Sequence, residues 1–217
     1  MGSVPLAENV RADCSFRNSS PQRWRSSVNS RKGDLMRDRI GEIITAIEPL
    51  DEIEREHRDS TIEWIRSGAP IFRTIKPDVP PKHLVSYFSL VDVQRGKMLL
   101  VDHKLASLWL PSGGHVEVDE DPHATVVREL SEELKLAAEF IQPNPLFITV
   151  TRTLGHGDHT DVSLWYLLRG DSTRAIEFDR GEFHGVRWFG FDEIPFERTD
   201  PHMRRFAAKL RGSLTAK

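Results

Sequence analysis

Three carboxylates, Glu129, Glu132 and Glu133, stand close together in the stretch VVRELSEELKL. Asp121 followed by Pro122 reads as a helix start, an N-cap with proline at the first helical position. The helix is expected to run to about Leu134. At roughly 100° per residue the three glutamates share an arc about 100° wide. Val127, Leu130 and Leu134 form the neighbouring apolar stripe. Carboxylates crowded in this way repel one another and cost stability unless a cation sits among them. A donor set made only of oxygens favours a hard ion, Mg²⁺ or Mn²⁺. Gly113 and Gly114, just upstream, are expected to let the backbone turn tightly and bring a carbonyl towards such an ion. Arg128 flanks the acidic face, where it can pair with Glu120 or another acid and fix the preceding loop to the helix.

By itself E-L-S-E-E reads as a solvated acidic helix face, as most charge runs do. The wider spacing says more. Gly114 is followed by five residues and Glu120, then by seven residues and Arg128-Glu129-Leu130-Ser131-Glu132-Glu133, with Leu136 closing the run. This resembles the signature of the Nudix hydrolases, G-x5-E-x7-R-E-U-x-E-E-x-G-U, in which U is aliphatic. Lys135 is the departure, standing where that family has glycine. The resemblance extends from about Leu84 to about Pro195. It implies an α/β/α sandwich with a mixed sheet, hydrolysing a nucleoside diphosphate linked to another moiety with the help of a divalent metal. Carried over residue by residue, it implies Glu129, Glu132, Glu133 and the Gly113 carbonyl as metal ligands. Gly114, Glu120 and Arg128 become supports of the loop and helix. Such metal chemistry offsets pyrophosphate charge and acidifies an attacking water.

The general base varies in this family and often lies on a later loop. Glu182, in DRGEFHG, is the candidate here. Glu117 reads as structural. His115 and Arg152 are candidate phosphate contacts, each weighed against an ordinary surface role. His156, His159 and His184 suggest a zinc site only if two loops converge, and turn chemistry is the better account of HGDHTD. Of Trp165 and Tyr166, one is expected in the core and the other is a candidate for stacking a nucleobase. Lys135 is expected to be held at positive φ, strained by about 1–2 kcal/mol, so that Lys135→Gly would stabilise the protein by about 1 kcal/mol.

Substrate markers are mostly negative. The stretch from Leu146 to Val162 has neither proline nor tyrosine, and no SQPW-like or coenzyme A signature occurs. A small nucleotide such as a nucleoside triphosphate remains by elimination. Two other readings stay open. One is a non-catalytic Nudix-fold nucleotide sensor or regulator, motivated by Lys135. The other is an RNA-end hydrolase holding RNA with an Arg-rich N-terminal arm.

These groups need elements to position them. Strands are expected at 83–92, 97–102, 146–153, 161–168 and 186–191, with a C-terminal amphipathic helix at 201–210. Upstream, Ile40, Ile43, Ile44 and Ile47 fall on one helix face, and Ile53, His57, Ile62 and Ile65 suggest a second helix. The expected organisation is a flexible tail at 1–35, a helical hairpin at 36–68, a Pro-rich linker at 69–82 and a Nudix domain at 83–217. The hairpin must cover the sandwich or a dimer interface, which leaves a homodimer open. The tail is Ser-, Asn- and Arg-rich and buries too little apolar surface to offset its ordering entropy. The net charge of −3 over 217 residues supplies no basic field for nucleic acid. The lone Cys14 excludes an intramolecular disulfide and a Cys-based zinc site. No uninterrupted apolar run approaches the roughly 20 residues a membrane helix needs, and the opening MGSVPLAENVRADC lacks the apolar stretch expected of a secretory signal. A cytoplasmic protein is expected.

Overall fold

The structure, a computed structural model, describes residues 21–76, 79–153 and 158–215, with side chains from residue 33 onward. Helix α1 runs over Pro21–Thr45 and α2 over Glu52–Arg66. The first 20 residues of the expected tail lie outside the described residues, but its remainder does not stay out of regular structure, since α1 begins at Pro21. A helix nucleated by the packed segment around Ile40 can propagate at small cost into the residues before it. Ile40, Ile43, Ile44 and Ile47 are all buried. In α2 the buried residues are Glu54, Thr61 and Ile65, whereas Ile53 is exposed, against the expectation from apolar spacing.

Seven strands follow: β1 Lys82–Asp92, β2 Lys97–His103, β3 Leu108–Leu110, β4 Ser112–His115, β5 Phe147–Thr153, β6 His159–Arg169 and β7 Phe183–Gly190. Helix α3 (Pro122–Leu134) lies between β4 and β5, and α4 (Met203–Thr215) ends the fold. The sheet is mixed, in the order β3-β2-β1-β6-β5, with β4 on β1 and β7 on β2. The central β1–β6 pair is parallel, with His83 opposite Asp161 and Tyr87 opposite Trp165. β4 pairs antiparallel with β1, setting Gly114 against Ser86 and His115 against Val85.

Because strand side chains alternate, the two faces of the sheet carry different cores. Leu84, Phe88, Leu164 and Tyr166 pack with Val126, Leu130 and Leu134 of α3 and with the isoleucines of α1. Leu100, Phe147, Trp165 and Leu167 pack with Met203, Phe206 and Leu210 of α4 on the other. β6 is therefore buried without interruption from Val162 to Leu168, as expected of a strand covered on both sides. The architecture is an α/β/α sandwich preceded by a helical hairpin.

The hairpin closes the β5 edge. The fully buried Glu54 takes a hydrogen bond from Lys209 Nζ of α4 at 2.6 Å and one from the backbone N–H of Leu50 at 2.6 Å. Asp51, the N-cap of α2, takes Arg205 Nε at 2.8 Å. The Arg205 guanidinium holds the Asp51 carboxyl down to about 2. Helices on opposite faces thus meet around an edge strand that would otherwise template pairing with another chain. Among the described residues, no helix is long and apolar enough to cross a membrane.

Candidate active site

The two glycines upstream of α3 form strand β4 and not the expected tight turn. Their smallness is needed for close approach. A Cβ on Gly113 (φ 144°) would lie 2.1 Å from the Ser86 carbonyl oxygen, so only glycine lets β4 pair with β1 here. A Cβ on Gly114 would lie 2.1 Å from Glu129 Oε1. The carboxylate of Glu129 occupies the space that Gly114 leaves.

Asp121 caps α3 through its side chain, accepting from the His123 N–H at 2.9 Å. The helix is rotated from the expected setting, with Val126 buried where Val127 was expected and Val127 exposed. That rotation carries Glu133 to the sheet-facing side. There one of its oxygens accepts from Ser112 Oγ and from the Gly113 N–H at 3.2 Å. Glu129 is half-buried beside it, and Glu132 is exposed at the rim.

Arg128 is the cation that pairs with these acids. Its guanidinium grips Glu120 through two bonds of 3.0 Å, reaches Glu129 Oε1 at 2.6 Å and donates to the His115 carbonyl at 3.2 Å. Thr125 Oγ1 also donates to Glu120, at 2.7 Å. Burial acts to raise the Glu120 pKa, but the bonds from Arg128, the Glu117 N–H and Thr125 outweigh it and hold the carboxyl below its ordinary value. Glu133 has no such relief. Burial, with the charges of Glu129 and Glu182, pushes its pKa up to about 8 despite the bond from Ser112. Glu129 is also raised, chiefly by burial. The fold therefore holds anionic oxygens where anions are disfavoured, and a cation among them would remove that cost. The residues fit a hard divalent ion: every side-chain donor is an oxygen, and the raised pKa values mark a deficit of positive charge.

The loop ahead of β7 leans on this site. The Asp179 N–H donates to the Glu133 carbonyl at 2.7 Å, and the Lys104 N–H to the Glu182 carbonyl at 3.0 Å. Glu182 is exposed, and its charge acts on both Glu129 and Glu133. Beside it, Lys104, Phe178, Arg180, Phe183 and His184 line an open groove.

A family model described as the NUDIX domain matches residues 82–210. The chain belongs to the Nudix family. It is a Nudix hydrolase, of a family that acts on small nucleotides. It is 26% identical to a "MutT-like protein" of Streptomyces ambofaciens over 134 residues, 62% of this chain and 81% of the relative. Among solved structures, a MutT NUDIX hydrolase of Burkholderia pseudomallei is 24% identical, covering 58% of this chain and 95% of its own, with a TM-score of 0.49. The E. coli dihydroneopterin triphosphate pyrophosphohydrolase is 14% identical, covering 64% and 99%, with a TM-score of 0.46.

Several expected contacts of this Nudix hydrolase fall elsewhere. His115 leaves the carboxylate face, because it follows Gly114 on a strand and so points to the opposite side of the sheet, towards His83. Arg152 is exposed and ion-paired with Asp158 at 2.6 Å. Trp165 and Tyr166 are both buried, one in each core, so neither offers a free face to a nucleobase. Of the three histidines weighed for zinc, His156 lies outside the described residues, and the exposed His184 lines the groove near Glu182. Lys135 is left-handed, at φ 55° and ψ 33°, and its Nζ reaches back to the Glu132 carbonyl at 2.7 Å. Ser112 was missed as a partner of Glu133, since nothing in SGGH reports the sheet register.

Proposed function

We propose that the chain hydrolyses the pyrophosphate link of a small nucleotide, a nucleoside triphosphate being the leading candidate, with Mg²⁺ or Mn²⁺. One observation carries this reading: Glu129, Glu132 and Glu133 gather on one edge of α3, with Glu133 buried under β4 and pushed to a pKa of about 8. Glu129, Glu132, Glu133 and the Gly113 carbonyl would hold the ion. When bound, it supplies the positive charge that offsets the pyrophosphate and acidifies water.

The chain's own residues do the rest. Arg128 and Glu120 lock the β4–α3 loop so that Glu129 keeps its orientation. Glu182 takes the proton from the attacking water. The tie of its loop to the end of α3 supports this role, as does its electrostatic reach to Glu129 and Glu133. Lys104 and Arg180 give the adjoining groove a cationic lining suited to phosphate. Lys135 favours catalysis over a silent sensor, because it adopts the left-handed cap its glycine counterpart would and leaves Glu132 and Glu133 in register.

Release of nucleoside mono- or diphosphate from nucleoside triphosphates, nucleotide sugars and dinucleotides, each with Mg²⁺ and with Mn²⁺, tests the proposal. Metal-dependent release from a nucleotide is expected, and Glu182→Gln should slow it with little effect on metal affinity. No turnover of any compound with either ion would contradict it.

A further inference from the structure

On the face of the sheet away from the carboxylates, His83, His115 and Asp161 bring one donor atom each to within 4.8 Å of one another. They reach this point from three strands. His83 is the second residue of β1, Asp161 lies opposite it on β6, and His115 ends β4. The alternation that turns Gly114 towards Glu129 turns His115 away, so the two sites lie back to back across one layer of backbone.

The hydrogen bonding of this cluster is incomplete in one direction only. His83 is fully buried. Its Nδ1 lies 2.8 Å from the Pro80 carbonyl, an acceptor only, so that nitrogen carries the proton. The other nitrogen, Nε2, faces Asp161 Oδ1 at 3.2 Å without hydrogen-bond geometry. His83 Nε2, Asp161 Oδ1 and His115 Nε2 are all buried and have no hydrogen-bond partner. The remaining oxygen of Asp161 is occupied: Thr153 Oγ1 donates to it at 3.3 Å, and His159 Nε2 lies 3.4 Å away. The His159 ring also stacks on His83, with centroids 5.5 Å apart. Thus Oδ1 and the two imidazole nitrogens are left turned inward.

We propose that His83, His115 and Asp161 bind a divalent transition ion of the zinc class, distinct from the hard ion of the carboxylate site. Two imidazoles and one carboxylate match the donor set of a zinc site that keeps an open position for water. With zinc–nitrogen and zinc–oxygen bonds of about 2.0–2.2 Å, two tetrahedral ligands lie about 3.4 Å apart, close to the 3.2 Å between His83 Nε2 and Asp161 Oδ1. A bond from the non-ligating imidazole nitrogen to a backbone carbonyl is the usual support of a metal-bound histidine, and His83 has it. His115 completes the set by closing on the other two. Arg73 lies near enough for its charge to act on both histidines. Arg73 also opposes any cation here, which makes the Asp161 carboxylate indispensable.

The test is equilibrium dialysis of the untagged, metal-stripped full chain against Zn²⁺ in excess Mg²⁺, with elemental analysis of retained zinc. The expected result is one equivalent retained by the wild type and by Glu133→Gln, and loss of that zinc in His83→Gln and Asp161→Asn. X-ray absorption of the wild-type zinc form is independent of how well the variants fold, and should show two imidazoles in the first shell. The proposal is overturned if Mg²⁺ displaces all zinc, if the first shell holds oxygens alone, or if Glu133→Gln loses the zinc that His83→Gln keeps.

Discussion

Replacing Lys135 with glycine and, separately, with alanine isolates the two forces that act on the C-cap of α3. A side chain at φ 55° and ψ 33° carries a cost of about 1–2 kcal/mol, because Cβ crowds the neighbouring carbonyl. Against it stands the Lys135 ammonium, which donates to the Glu132 carbonyl at 2.7 Å at the negative end of the helix. An exposed charge there contributes about 0.3–1 kcal/mol. Alanine keeps the strain and loses the ammonium, so it should destabilise the protein by about 0.5 kcal/mol. Glycine removes the strain but loosens the unfolded chain by about 0.4–1 kcal/mol. Glycine should therefore exceed alanine by close to 1 kcal/mol, while its gain over lysine falls to about 0.5 kcal/mol or less. That is smaller than the 1 kcal/mol expected when the bond to Glu132 is ignored. In a chain of this length the glycine–alanine contrast corresponds to about 2–4 °C in melting temperature. Urea unfolding in EDTA, with unchanged slope across the three proteins, is the measurement. An alanine variant at least as stable as the glycine variant would refute the strain.

Glu133 predicts a pH dependence in the metal-free protein. Its pKa rises on folding from an ordinary 4.5 to about 8, so between these values the native state binds the proton more tightly than the unfolded chain. Stability is then lost as pH rises through that window, by an amount on the order of a few kcal/mol. Glu133→Gln should flatten the curve measured by urea unfolding in EDTA, and parallel curves would contradict the burial argument. Gly114→Ala should leave the circular dichroism unchanged, because the atoms its Cβ meets belong to the end of the Glu129 side chain. Turnover should nonetheless drop about 100-fold, and turnover near wild type would show that Glu129 can move without consequence. A chain beginning at Met36 should keep its melting temperature and activity, since the buried isoleucines of α1 all lie beyond it; loss of either would give residues 1–35 a role.

The clustering of the carboxylates was legible because these residues are local. Glu120, Arg128, Glu129, Glu132 and Glu133 are placed by one helix and the loop before it, and helical geometry relates them without knowledge of the sheet. Lys135 was legible for the same reason. What failed depended on contacts between distant segments. Ile53 is exposed and Glu54 buried because Lys209, some 155 residues away, supplies the counter-charge, which no apolar periodicity can report. The glycines of β4 read equally well as a turn until the register against Ser86 and Tyr87 is known. His83 and Asp161 escaped notice because they meet only through the parallel pairing of β1 and β6. Alternation along HTDVSLW does place His159, Asp161, Ser163 and Trp165 on one face, which is the signal available in the sequence.

Steady-state turnover of Glu129→Gln and Glu133→Gln, at saturating Mg²⁺ and on a nucleotide that the wild type cleaves, bears most directly on the carboxylate cluster as the catalytic metal site. Each substitution removes one anionic oxygen while preserving shape, and Glu133→Gln also relieves a buried charge, so the fold should persist. A fall in kcat of orders of magnitude is expected for both variants, with melting temperatures at or above wild type in EDTA. A folded Glu133→Gln protein that turns over at a near-normal rate would contradict it.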